Sequence, residues 1–202
     1  MQQENTRRSN AERSEAMRAA LLSAARTLFV EKGYADTATP DIVAAAGVTR
    51  GALYHHFADK QALFRAVVER EAALVAAAIE EASLADLPLM QALAAGGRAF
   101  LDAMEEPGRT RLLLLDGPAV LGRVEMDRID ETTGGSHTLR TGLAAAMRAR
   151  EMPVLPLDAL TALLSAAFDR AALEISAGAP RADHEAVLTG LIGSLASGAP
   201  GR

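Results

Sequence analysis

The 202-residue chain contains no cysteine and no tryptophan, and phenylalanine and tyrosine together make up only 3% of it. Without cysteine there is no disulfide framework, no thiolate nucleophile and no cysteine zinc site, which fits a reducing compartment. With half the residues hydrophobic, mostly alanine and leucine, and so few aromatics, the composition is that of an all-helical protein. The first twenty residues are polar and charged, and no later apolar run reaches membrane-spanning length. A soluble, cytoplasmic protein with no membrane partner is expected. Lysine is scarce as well: Lys32 and Lys60 stand beside nineteen arginines.

Catalytic machinery is also missing. His137 and His184 are isolated, no Ser/His/Asp arrangement has a convincing context, and no glycine-rich phosphate loop follows a strand. Asp127, Asp130 and Glu131 lack a neighbouring histidine or a calcium-loop pattern and read as a solvated helix face. No catalytic residue, metal or cofactor is assigned, so the chain is not expected to be an enzyme.

Charge is unevenly placed. The net charge of −5 by itself disfavours a nucleic-acid partner. Residues 1–65, however, hold nine Lys/Arg against seven Asp/Glu, net +2, with His55 and His56 in addition. Residues 66–202 hold twelve against nineteen, net −7. Attraction to phosphate depends on local charge, so a mildly basic head on an acidic body is compatible with nucleic-acid binding. The aromatics divide the same way, five in the head and only Phe100 and Phe168 beyond it. A boundary inside a helix after Phe64 follows, giving a flexible arm (1–13), a head (14–64) and a body (65–202).

In the head, a first helix from Ser14 carries Met17, Leu21, Ala24 and Leu28 at helical spacing, widened by Ala20, Ala25 and Phe29, and Gly33 ends it. Thr39 is an N-cap with Pro40 at the first helical position, and Gly47 stops that helix after two turns. Thr49 caps another short helix that runs to about His56. Two short helices joined by a glycine-containing turn form a helix-turn-helix, with Val43, Val48, Leu53 and Phe57 on its buried side. Thr49, Arg50, Tyr54, His55 and His56 remain outside. All can donate hydrogen bonds and none is acidic, which suits entry into a DNA major groove. His55 and His56 diverge by about 100° on a helix and cannot easily share a metal ion. Asp59 caps a long fourth helix, and Lys60 with the first backbone N–H groups could hold one phosphate. In the arm, Arg7, Arg8 and Arg13 either touch DNA or belong to a solvated tail.

Residues 42–63, reading IVAAAGVTRGALYHHFADKQAL, resemble the DNA-binding signature of the TetR family of transcriptional regulators. The likeness includes the Gly-Val-Thr turn, the Leu-Tyr-x-His-Phe core and the following lysine. It implies DNA contacts at Thr39, Thr49, Arg50, Gly51, Tyr54, His55, His56 and Lys60. Gly51 would admit close backbone approach, and Tyr54 would offer its hydroxyl to a phosphate and its ring to a thymine methyl. Arg50 either reads guanine or clamps a phosphate. His56 either contacts DNA or serves as a capping or packing residue.

The body reads as helices throughout. The fourth helix continues with Leu63, Phe64, Val67, Leu74, Val75 and Ile79, and would link head to body. A following stripe holds Met90, Leu93, Ala94, Phe100, Leu101 and Met104, interrupted by Gly96-Gly97, which either pack closely, loosen the helix or admit a ligand. After a turn at residues 105–108, Leu112 to Leu115 are apolar all round and read as a short buried helix broken at Gly117-Pro118. This run more loosely resembles the ligand-binding region of one subset of TetR-like regulators. Residues 123–151 form one helix, or two separated at Gly134-Gly135, with Leu139, Leu143, Ala146 and Met147 as the stripe. Residues 152–156 are a loop before helices at about 157–177 and 182–197. Asp116 and Asp169 lie amid apolar neighbours, where each either satisfies a buried arginine or holds a cationic ligand.

The fold expected is therefore all-α, a three-helix helix-turn-helix head with a helical ligand-binding and dimerisation body. The resemblance implies a homodimer through the last two helices, which otherwise would close the monomer's own core. A two-fold pair reads two half-sites of a palindromic operator on double-stranded DNA. The functional expectation is a repressor released by a small apolar or amphipathic effector, with Met90, Phe100, Met104, Leu113, Met147 and Phe168 as candidate pocket residues. The second reading is a DNA-binding regulator of the same fold with no small-molecule effector, controlled by a protein partner or acting architecturally. A sizeable cavity favours the first, and a filled core the second. An enzyme or a purely structural helical module is a third, and predicts no sequence-specific DNA binding.

Overall fold

The computed structural model describes residues 10–83 and 87–197, and every regular element among them is a helix, as the composition requires. They run α1 (Asn10–Asp36), α2 (Thr39–Ala46), α3 (Arg50–His56), α4 (Lys60–Ser83) and α5 (Leu89–Met104). A π-helical turn (Arg111–Asp116) leads into α6 (Gly117–Leu121), α7 (Arg123–Thr133), α8 (Gly135–Arg148), α9 (Leu157–Ser176) and α10 (Arg181–Ser197). Two compact units divide within α4, between Val67 and Val68. No helix among the described residues is long and apolar enough to cross a membrane.

In the N-terminal unit, Leu21, Leu22, Ala25 and Phe29 of α1 meet Ile42, Leu53, Phe57, Leu63 and Phe64, all buried. Phe29 and Phe64 pack edge to face with centroids 5.1 Å apart, and burial of each ring contributes about 2–3 kcal/mol. Three details differ from the sequence reading. Helix α1 starts by Asn10, so residues 10–13 are not an arm, and Glu12 suits the positive end of the helix dipole. Arg7 and Arg8 lie outside the described residues. Ile42, rather than the half-buried Val43 and Val48, fills the core from the helix-turn-helix. Finally, Ala38, not Thr39, is the N-cap of α2, and no side chain caps that end.

The C-terminal unit packs α5 against α8 and α10, and α8 against α9, with Leu93, Leu101, Leu143, Ala146, Leu164, Phe168, Leu188 and Ile192 at the centre. Gly97 lies under Phe168: a Cβ there would come within 2.7 Å of the ring's Cζ. The Gly96-Gly97 pair is thus closely packed and also lies on the wall of a cavity, and α5 runs through it unbroken. Residues 123–148 are two helices, parted at Gly134. The four-leucine run is not apolar on a fully buried segment: Leu112 and Leu113 are buried, whereas Leu115 is 54% exposed. Nor does Gly117-Pro118 break it. The π turn passes directly into α6, and the break falls at Gly122, whose φ of 84° favours glycine. On α4 Leu74 points outward, and Glu71, 2% exposed, occupies the interior through an ion pair with Arg109 at 2.8 Å. Arg109 also donates from Nη1 to the Ala103 carbonyl at 2.6 Å. On α10 Leu188 and Ile192 are buried, while Val187 and Leu191 of the expected stripe face outward.

Candidate nucleic-acid interface and ligand cavity

The turn between α2 and α3 is built from two local signals. Gly47 adopts the left-handed conformation, φ 65° and ψ 29°, and its N–H and that of Val48 satisfy the last carbonyls of α2. The Thr49 hydroxyl oxygen accepts the Ala52 N–H at 3.2 Å and fixes the start of α3. Buried Leu53 and Phe57 then anchor one side of α3. The opposite side presents Thr49, Arg50, Gly51, Tyr54 and His55, all exposed, with His56 half-buried at the edge. The Arg50 guanidinium lies 5.5 Å from the Tyr54 ring centroid, so the two form one polar-aromatic surface one turn apart. A Cβ on Gly51 would meet only the Thr49 hydroxyl, at 3.9 Å, which leaves room for another backbone to approach. Thr39 is half-buried at the first turn of α2.

Lys60 sits differently from the expectation. Its ammonium donates to the Tyr34 carbonyl at 2.8 Å and the Thr37 carbonyl at 3.1 Å, and lies 4.2 Å from the Tyr34 ring centroid. Thr37, fully buried, donates to the Gly33 carbonyl at 2.7 Å. Together they satisfy carbonyls at the end of α1, where a cation also meets the negative end of the helix dipole. Two of the three ammonium donors are therefore engaged inside the head. Asp59 caps α4 by accepting the Ala62 N–H at 2.7 Å.

The C-terminal unit is not filled. Two adjoining chambers, about 450 and about 280 Å³, open between α4, α5, α7, α8 and α9. Phe100, Asp130, Ser136, Ser165 and Asp169 line both. Of the expected pocket residues, Phe100 and Phe168 line the larger chamber, packed edge to face with centroids 5.6 Å apart. Phe100, Met104 and Leu113 line the smaller. Met90 and Met147 line neither: both pack against the apolar core around Leu93 and Leu143. The π turn brings Leu113 and Leu114 to the wall of the smaller chamber.

Carboxylates line the cavity as well: Asp169, expected to satisfy a buried arginine or to hold a cationic ligand, and Asp130, expected on a solvated face. Asp130 does not lie on a solvated face. Its Oδ1 accepts the Ser136 N–H at 3.1 Å and its Oδ2 the Ser165 hydroxyl at 3.3 Å. Burial raises its pKa, and those two hydrogen bonds hold it back. Asp169 has no hydrogen bond or ion pair among the described residues. Burial first, then repulsion from Asp130, pushes its pKa up to about 7 against the attraction of Arg123. Arg123 itself is paired with Asp127 at 2.8 Å. Asp116, by contrast, has Arg111 within 3.2 Å, but Arg111 is half exposed and Asp116 Oδ2 receives no aligned hydrogen bond. In the sequence, the sign of a buried Asp130 is its place next to Ile129, the buried residue of a polar helix, and one turn after Met126.

Comparisons with known proteins agree with this architecture. Residues 21–67 match the family model for bacterial regulatory proteins of the tetR family. Residues 90–198, half of the chain, match the model for the tetracyclin repressor-like C-terminal domain. A TetR-family transcriptional regulator from Pectobacterium atrosepticum is 32% identical, with a TM-score of 0.70 and coverage of 93% of this chain and 95% of that one. The TetR-like regulator LfrR from Mycobacterium smegmatis, solved in complex with proflavine, shares the fold at 24% identity and a TM-score of 0.61, with 89% and 96% covered. The HTH-type transcriptional repressor AcnR of Corynebacterium efficiens is 37% identical over 67 residues, 33% of this chain and 36% of that protein. The match thus spans about a third of that curated relative's length. The head signature, the helical body and both family models lead to one assignment: the chain belongs to the TetR family of bacterial transcriptional regulators.

Proposed function

We propose that this regulator is a homodimeric repressor that binds a palindromic operator and is released by a small apolar or amphipathic molecule. The observation that carries the reading is the pairing of a polar, acid-free face on α3 with an unfilled apolar cavity in the body. Thr39, Thr49, Arg50, Gly51, Tyr54, His55 and His56 are the DNA contacts in this reading. Lys60 holds the end of α1 in place and has one donor left for a phosphate. A cavity of about 450 Å³ is within the range of small-molecule sites, which favours an effector over a regulator with a filled core. LfrR, of the same fold, binds proflavine.

The dimer is supported by a face on the last two helices. Leu163 is 72% exposed, Val187 63% and Leu191 46%, beside exposed Ala159, Ala162, Ala166 and Gly190. Apolar surface of this kind, with small residues that let helices approach, suits an isologous contact with a second copy. Helix α4 begins in the N-terminal unit, and its later residues Ala72, Val75 and Ile79 line the cavity. An effector that binds better when α4 is in its DNA-incompetent position shifts the population toward release. Action on operator DNA places the protein in the cytoplasm.

The test is selection from a random duplex pool, followed by salt titration of the winning site. Enrichment of a palindrome with half-sites about one helical turn apart, and loss of binding in Tyr54→Ala or Arg50→Ala, is the expected result. Weak binding driven only by salt, with no sequence enriched, would refute base readout by α3.

A further inference from the structure

The walls of the larger chamber carry Glu80, Asp130 and Asp169 but, among the described residues, no lysine or arginine. Arg123 reaches only the smaller chamber, where Asp127 already pairs with it. Asp130 has two donors of its own, whereas Asp169 has none among the described residues, and the buried hydroxyl oxygen of Thr138 on the same wall also lacks a partner. A carboxylate kept half out of water without a donor is costly unless something else supplies one. We infer that the cavity selects a cationic amine. The ammonium donates to the Asp169 carboxylate, Asp130 adds a second negative charge, and an apolar body rests against Phe100, Phe168, Ile79 and Leu93.

The alternatives fit less well. An anion would find no lysine or arginine among the described residues of the larger chamber, only the His137 imidazole, and would face three carboxylates. A neutral apolar molecule would leave Asp169 without a donor and more thoroughly desolvated. A metal ion would find no group of three histidine or acidic ligands among the described residues. Phe100 and Phe168 meet edge to face rather than forming a box of ring faces, so charge recognition rests on the carboxylates and not on an aromatic cage.

This inference rests on the reading of the cavity as an effector site, and the test separates the two. The full chain is titrated calorimetrically in mildly alkaline buffer with naphthylmethylamine, naphthylmethanol and naphthoate, which share one ring system and differ in charge. The amine is expected to bind about tenfold or more tighter than the alcohol, with naphthoate weakest. In Asp169→Asn, which keeps the side-chain shape, that preference falls to about threefold or less. Asp130→Asn, whose amide oxygen can still accept the Ser136 N–H, reduces it by a smaller factor. The inference is overturned, and the effector reading left standing, if the alcohol or naphthoate equals the amine or if the preference survives in Asp169→Asn. Binding of none of the three by folded protein overturns both.

Discussion

Replacing Asp169 by asparagine should stabilise the ligand-free protein, and by an amount that depends on pH. The carboxyl has an ordinary value of 3.8 and is pushed up to about 7 in the folded chain. Between those values the folded state holds a proton that the unfolded state has lost. Stability therefore falls as pH rises from about 4 to about 7 and levels off above that. A rise of that size corresponds to about 4 kcal/mol, an upper figure because Asp130 contributes part of the repulsion. Asparagine does not titrate and is isosteric with the neutral acid. Near pH 4 the variant and the native chain should unfold at similar temperatures, whereas near pH 8 the variant should melt on the order of 10 °C higher. The measurement is thermal unfolding by far-UV circular dichroism at both pH values, without ligand. A gap that is the same at both, or a variant less stable near pH 8, would show that Asp169 is not a strained, unpartnered carboxylate.

Other expectations concern separate parts of the molecule. Arg109→Met removes the cation from Glu71, which is 2% exposed, and should cost about 3–5 kcal/mol in urea unfolding, with much of the loss recovered in the Glu71→Met, Arg109→Met double variant. Lys60→Met should lower the stability of the head by about 1–2 kcal/mol, because two carbonyls at the end of α1 lose their donor. Unchanged stability together with a salt slope of DNA binding shallower by about one would instead assign Lys60 to a phosphate. Leu191→Glu should yield monomers in analytical ultracentrifugation and weaken operator binding. An intact dimer would remove the α9 and α10 face from the interface.

The reach of sequence reading follows the range of the interactions involved. Gly47 and Thr49 act within four residues of themselves, so the turn, the cap and the exposed face of α3 can be read from the chain. Periodicity places the helices, but it assigns faces poorly where alanine is abundant. That is why Leu74, Val187 and Leu191 look like core positions in the sequence and lie outside in the structure. Lys60 is legible as a head residue, but its carbonyl partners lie more than twenty positions earlier, and only packing reveals them.

The sequence by itself determined the all-α class, the helix-turn-helix and the absence of thiol chemistry. These depend on composition and on bonds between near neighbours. The tertiary structure alone decided that the body is hollow and that Asp130 and Asp169 line the hollow, while Met90 and Met147 do not. Whether a carboxylate is solvated, paired or stranded depends on helices distant in sequence that converge on it. Desolvation is a property of that packed environment and leaves no periodic mark in the chain.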